Sequence, residues 1–178
     1  MEKNKFNLCP HCGSRNIETL NDGLKWFCHN CGFDLYNNVA SAVGLLIKDS
    51  QNRFLLEKRA KEPRKGYFAL PGGFTDADES AEEAAERECI EETGVKPEHI
   101  VYICSAPNTY LYKNIEYKTC DLFFTATLPD TAELKAQKGE VDGFEWVAIQ
   151  NKDDIEKCPL AFPSAKKALY AWLEQNNK

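Results

Sequence analysis

The sequence predicts an α/β domain built on a mixed sheet, preceded by a small cysteine-rich β unit. Three observations carry this reading. Two Cys-x-x-Cys-Gly turns, Cys9–Gly13 and Cys28–Gly32, lie near the amino terminus. Strand-like and helix-like runs follow beyond residue 38 without strict alternation, the signature of a sheet that is not purely parallel. And the charge is concentrated in one segment: Gly73 to Val95 holds nine carboxylates against the single Arg87, a net of −8, while the whole chain carries −6, so the other 155 residues sum to +2.

The 178 residues allow one ordinary domain with a small appendage. We divide them into 1–37 and 38–178. With 43% hydrophobic residues a real core is possible. The opening MEKNKFNL contains no apolar stretch of signal type, and Val39 to Ile47 is far short of the ~20 residues of a membrane span. These features predict a soluble, cytoplasmic protein without a membrane partner. Eight cysteines, four in tight pairs and four scattered (Cys89, Cys104, Cys120 and Cys158), favour a metal site plus reduced thiols over a disulfide framework.

Cys9, Cys12, Cys28 and Cys31 have the spacing of a closed, four-thiolate Zn²⁺ site. The glycine after each pair is expected to relieve crowding where the backbone folds back. Between the pairs, Asn16 to Leu20 and Leu24 to Phe27 read as short strands joined by Asn21-Asp22-Gly23. This is the pattern of a zinc ribbon. His11 and His29 are bystanders when four cysteines suffice. A segment this small needs a metal to fold, and a closed site has no position for catalytic water, so the zinc is structural. Residues 1–37 carry four acids and four bases. Zero net charge argues against nucleic acid as the ribbon's partner without excluding it.

Further along, Ser41 to Lys48 and Arg53 to Arg59 flank Asp49-Ser50-Gln51-Asn52 and predict a hairpin. Tyr67 to Leu70 reads as a short strand stopped by Pro71-Gly72-Gly73, and Ile100 to Ser105, Tyr117 to Leu128 and Phe144 to Ile149 as further strands. The first helix starts at Ser80, with Glu83 as its capping-box partner, and stops at Gly94. The second runs from Ser164 to about Gln175, with Ala165, Ala168, Leu169, Trp172 and Leu173 at helical spacing.

On a helical wheel Ala81, Ala84 and Ala85 share one side with Glu88 and Glu92, and Glu91 lies at its margin. Glu82, Glu83 and Glu86 point elsewhere, as a solvated face would. Two carboxylates one turn apart on the buried side repel each other, and the small alanines are expected to leave room for a cation between helix and sheet. Carboxylate oxygens suit Mg²⁺ or Mn²⁺, which keep positions for water and phosphate. Arg87 can pair with Glu83 or Glu91, and the Gly72-Gly73 turn lets backbone carbonyls approach.

Gly73, Glu79 and the run Arg87-Glu88-Cys89-Ile90-Glu91-Glu92-Thr93-Gly94-Val95 resemble the Nudix box without a gap, with Cys89 where an aliphatic residue is more usual. The resemblance implies a Nudix-type α/β/α sandwich over 38–178 and hydrolysis of a nucleoside diphosphate linked to another moiety. It implies Glu88, Glu91 and Glu92 with the Gly72 carbonyl as ligands of Mg²⁺ or Mn²⁺, Arg87 as the residue that orients a glutamate, and Glu79 in a supporting role. It places a general base or further ligand in a loop before a late tryptophan-containing strand, where Glu140 precedes Trp146; Asp142 and Glu145 compete for that place.

Among the five bases from Lys58 to Lys65, Arg59 is the candidate for substrate phosphate, and Tyr110 and Tyr112 are candidates for stacking on a base. A four-cysteine ribbon joined to a Nudix domain is similar to NADH pyrophosphatases, whose SQPWPFP stretch corresponds here to Ser105-Ala106-Pro107-Asn108-Thr109-Tyr110-Leu111. The serine, first proline and an aromatic are kept, and the glutamine, tryptophan and two prolines are not. NADH, ADP-ribose, FAD and dinucleoside polyphosphates all stay open, to be cleaved into a mononucleotide and a second phosphorylated product. Two alternatives stand beside this hydrolase: a nucleotide-sensing module, and removal of a nucleotide cap from RNA. The family resemblance also implies a homodimer.

Overall fold

The computed structural model describes residues 6–113 and 115–176; the side chain of Tyr112 lies outside what is described. Contacts divide the chain into two compact units, Met1–Val39 and Ala40–Lys178. Among the described residues no helix is long and apolar enough to cross a membrane.

In the first unit β1 (Ile17–Leu20), β2 (Lys25–Cys28) and β3 (Asp34–Tyr36) form an antiparallel sheet in that order. The third strand was too short to stand out in the sequence. The four thiols converge, every Sγ within 4.8 Å of the others. Cys9–Cys31 and Cys12–Cys28 lie 3.8 and 3.7 Å apart, matching the edge of about 3.8 Å that a tetrahedron with Zn–S bonds of about 2.3 Å requires. Gly13 and Gly32 have φ of 73° and 74° with nothing within 4 Å of where a Cβ would stand. They are needed for their left-handed backbone and not to relieve crowding. His29 is bonded to Glu18 at 2.8 Å, outside the thiol cluster.

The second unit contains β4 (Ala40–Ile47), β5 (Arg53–Arg59), β6 (Phe68–Ala69), α1 (Ala81–Thr93), β7 (Glu98–Tyr112), β8 (Ile115–Thr127), β9 (Val141–Ala148), α2 (Lys152–Lys157) and α3 (Pro163–Asn176). One sheet has the order β4-β8-β7, with β4 parallel and β7 antiparallel to β8; the other, β6-β5-β9, is antiparallel. Side chains alternate across both. Val43, Leu45, Ile47, Leu55 and Phe124 pack with Ala84, Ala85 and Cys89 of α1. Leu46, Phe54, Leu56 and Phe123 pack with Ala165, Ala168 and Leu169 of α3. The sheets thus lie between two helices, the expected α/β/α sandwich with a mixed sheet.

The predicted hairpin is only a turn. Lys48 and Phe54 form an isolated bridge, and Asp49 accepts the amides of Gln51 and Arg53 at 2.9 and 2.8 Å, but β4 and β5 then enter different sheets. Both strands are apolar on both faces, so their pattern does not select a partner. The edge of β4 is instead taken by the loop before α1: Val43 and Leu45 donate to the carbonyls of Gly73 and Pro71, each at 2.8 Å. Strand β7 is also longer than expected, because Pro107 sits on an edge strand, where a missing N–H is tolerated. Helix α2, six residues with an Asn151–Asp154 capping box, is an addition to the two helices expected from the sequence.

Candidate active site

Helix α1 begins and ends as its sequence dictates. The Ser80 hydroxyl accepts the Glu83 amide at 3.2 Å, Glu83 accepts the Ser80 amide at 2.7 Å, and Gly94 closes the helix at φ 74°. This fixes the rotation of the helix. Glu92 is 5% exposed and Glu88 largely buried, while Glu91 is exposed at the margin, as the wheel required. Ala84 and Ala85, however, are fully packed against β4 and β8. The open volume is not beneath them but one turn further on, beside Gly72 and Gly73.

That loop is shaped around the carboxylates. The Gly72 amide donates to Glu92 Oε2 at 2.7 Å. A Cβ on Gly72, whose φ is 147°, would stand 2.1 Å from the Val43 carbonyl, and one on Gly73 would stand 2.5 Å from Glu88 Oε1. Neither position tolerates a side chain without displacement.

Arg87 does not pair with Glu83, which is occupied in the cap. Its guanidinium instead contacts Glu79 at 2.6 and 3.1 Å, Glu88 Oε1 at 2.8 Å, Glu91 at 3.4 Å and the Phe74 carbonyl at 2.9 Å. Glu79 also accepts the Asp76 amide at 2.6 Å. The Arg87 hydrogen bonds hold Glu79 below the ordinary carboxylate pKa. Arg87 is thus a brace between the pre-helix loop and Glu88.

One residue of this cluster was not foreseen. Glu57 of β5 is 2% exposed, and its Oε2 has no hydrogen-bond partner. It shares a strand face with Leu55, which packs toward α1, and so meets Glu92. Burial, then Glu92, push its pKa well up. Burial likewise raises Glu92 to about 8, with Glu88 adding to the shift and the Gly72 amide opposing it. Glu88 is raised by burial against the pull of Arg87. Three desolvated carboxylates, one with an orphaned oxygen, are donors of the hard-oxygen type that a divalent cation prefers. The alternation of β5 was the available signal for Glu57.

Around this cluster lies a cavity of about 360 Å³, within the range of small-molecule sites. Gly72, Glu88, Glu91 and Glu92 line one end, and Arg59, Tyr110 and Glu140 also line it. Glu140 is held by two backbone bonds, Ala60 donating to its carbonyl at 2.8 Å and its amide donating to the Gln137 carbonyl at 3.2 Å, and Gln137 in turn donates to the Glu92 carbonyl at 3.2 Å. Its carboxylate meets Lys61 at 2.5 Å. Asp142 and Glu145 are exposed and do not line the cavity. Arg59 lies over the Phe162 ring, 5.1 Å from its centroid, and donates to the Pro63 carbonyl at 3.0 Å, leaving Nη2 buried and unbonded. Tyr110 stands 5.8 Å from Phe162 and 5.7 Å from Phe74, ring to ring.

The NUDIX domain family model matches residues 39–172. Over 147 residues the chain is 29% identical to the NAD-capped RNA hydrolase NudC of Vibrio cholerae, covering 82% of this chain and 51% of that one, so it spans about half the length of that relative. A 66-residue stretch is 52% identical to the ADP-ribose pyrophosphatase of Methanocaldococcus jannaschii, covering 36% of this chain and 38% of that one. The crystal structure of a NUDIX hydrolase from Nitrosomonas europaea superposes with a TM-score of 0.68 at 23% identity, covering 96% of this chain and 92% of that one. With the box in register on α1 and the family model spanning 134 of 178 residues, the chain belongs to the Nudix family.

Proposed function

We propose that this chain is a Mg²⁺- or Mn²⁺-dependent pyrophosphohydrolase that cleaves the diphosphate of a small nucleotide such as ADP-ribose or NADH into a mononucleotide and a second phosphorylated product. The observation that carries it is the pair of largely buried carboxylates Glu88 and Glu92, backed by the buried Glu57, in a cavity also lined by Arg59, Tyr110 and Phe162. Glu88, Glu91 and Glu92 with the Gly72 carbonyl would hold the cation. A divalent ion held by these residues would supply charge neutralisation of the diphosphate and a lowered pKa for an attacking water. Arg87 fixes Glu88 in its working orientation. Glu140 is the proton acceptor, and Arg59, with one nitrogen free of protein partners, takes a phosphate oxygen. Tyr110 and Phe162 wall the side where a base can lie.

The test is a panel of ADP-ribose, NADH, NAD, FAD and diadenosine polyphosphates, with zinc-loaded protein and Mg²⁺. Cleavage of at least one member to a mononucleotide is expected. Folded protein that cleaves none contradicts the proposal. A second reading is favoured by the names of relatives such as the Vibrio protein: an NAD cap on RNA presents the same diphosphate, and an NAD-capped oligonucleotide in the panel decides whether RNA is accepted. The neutral charge of residues 1–37 favours the small nucleotide.

The glycines give a paired prediction. Gly73→Ala displaces only the mobile end of Glu88, so stability changes little while kcat falls about 10- to 100-fold, the cost of a misplaced catalytic group. Gly72→Ala meets the Val43 backbone and costs about 2–3 kcal/mol in denaturant unfolding. Equal unfolding midpoints for the two variants would contradict this account of the loop.

A further inference from the structure

The cavity also contains a polar group that the proposed chemistry does not use. Along β8, Thr119, Asp121 and Phe123 alternate onto the face that packs with α3. Thr119 is 4% and Asp121 8% exposed, and both line the cavity. The Thr119 hydroxyl donates to Asp121 Oδ1 at 2.6 Å, and among the described residues this is the only hydrogen bond made to that carboxylate. Among the described residues no cation pairs with it. A carboxylate can accept about four hydrogen bonds, and this one, with a single neutral donor, keeps most of its acceptor capacity open to the cavity.

Its neighbours leave the other lone pairs accessible from the cavity. The residues directly across from Asp121 on β4 and β7 are Ala42 and Ala106, both too small to cover it. Across from Thr119 on β7 is Asn108, whose buried Oδ1 has no partner. Two acceptors, Asp121 with a single donor and Asn108 with an Oδ1 that has none among the described residues, therefore lie on adjacent rungs of one sheet face. The aromatic rings of Tyr110 and Phe162 stand beside them along the cavity wall. Acceptors with spare capacity, next to a flat apolar wall, call for a planar ligand that brings N–H groups.

We propose that Asp121 and Asn108 form a recognition subsite for an exocyclic –NH₂ on the heterocyclic end of the nucleotide. The inference rests on the reading of this cavity as a nucleotide site and adds its specificity element. Two sources share the chemistry, the 6-amino group of adenine and the carboxamide of nicotinamide. Both satisfy the carboxylate with a charge-assisted hydrogen bond; their 6-oxo and carboxylate counterparts present an acceptor or a negative charge to it and are rejected.

Calorimetry on the full zinc-loaded chain tests this with mononucleotides, which hold no diphosphate to cleave. The pairs are AMP against IMP, and nicotinamide mononucleotide against nicotinic acid mononucleotide, each with Mg²⁺. In one pair the amino-bearing member is expected to bind about tenfold or more tightly than its counterpart, the scale of a hydrogen bond to a charged group; which pair discriminates identifies the source. Asp121→Asn keeps the shape and the Thr119 bond but turns an amide –NH₂ to the ligand, and should shrink the preference to about threefold or less, or invert it. If that variant does not fold, Asn108→Leu carries the assignment, with a smaller loss of preference. Equal binding within both pairs, no binding of any member, or full preference in a folded Asp121→Asn overturns the subsite. Turnover of the full panel of ADP-ribose, NADH, NAD, FAD and diadenosine polyphosphates is measured alongside. Turnover without amino preference defeats the subsite alone, and amino preference without turnover defeats the hydrolase reading alone.

Discussion

Glu92→Gln is expected to lower kcat by about 10³-fold or more, the scale of losing a principal stabiliser of developing charge, while making the metal-free protein more stable at alkaline pH. The second half follows from where Glu92 sits. Burial and Glu88 raise its pKa from 4.5 to about 8. An acid whose native pKa lies above its unfolded value holds its proton longer in the folded state. Stability is therefore complete below about pH 4.5 and is lost as pH rises toward about 8. Glutamine removes that loss and still accepts the Gly72 amide. At pH 8 in chelator-treated buffer the melting temperature should rise by about 3 °C or more, and the two proteins should converge as pH falls toward 5. A variant that is inactive but less stable at pH 8 would mean that Glu92 supports the fold and not a cation site.

The second large effect concerns the ribbon. Cys28 is fully buried, and its Sγ lies 3.7 Å from that of Cys12. Structural zinc contributes about 10–16 kcal/mol to small metal-dependent units, and the large buried side chain among residues 6–39 is Trp26, edged by the exposed Phe6 ring at 4.7 Å. Cys28→Ser should reduce zinc affinity at least about 10³-fold and open residues 1–39 to proteolysis. It should not generate zinc-dependent hydrolysis, because a serine vacancy in a structural knuckle does not supply the diphosphate site beside α1. Zinc content and protease resistance equal to wild type would contradict the four-cysteine assignment.

What was legible in the sequence was legible for local reasons. The cap at Ser80, the stop at Gly94 and the 100° step between residues settle the rotation of α1, and hence which glutamates turn inward. The two knuckles are likewise set by spacing. What was not legible depends on strand partners. Glu57 lies in Arg53-Phe54-Leu55-Leu56-Glu57-Lys58-Arg59 and looks like the polar end of a strand; it becomes part of the site only because β5 pairs with β9 and β6, turning Leu55 and Glu57 toward α1. The turn at Asp49–Asn52 was recognisable, but the divergence of β4 and β5 was not, since it depends on the loop of Pro71 and Gly73 taking the edge of β4. Asp121 was hidden in the same way. Its significance depends on Ala42 and Ala106, distant in sequence and adjacent in the sheet. Even Arg87 found Glu79 and Phe74 in the loop in place of its helical neighbour Glu83.

The central claim is that the inward carboxylates of α1 form a cation site, and Mn²⁺ titration followed by electron paramagnetic resonance addresses it most directly. Zinc-loaded wild type should bind at least one Mn²⁺ per chain with sub-millimolar affinity, and Glu88→Gln and Glu92→Gln should each weaken it about 10- to 100-fold or more. Superimposable isotherms for the three proteins would contradict the claim.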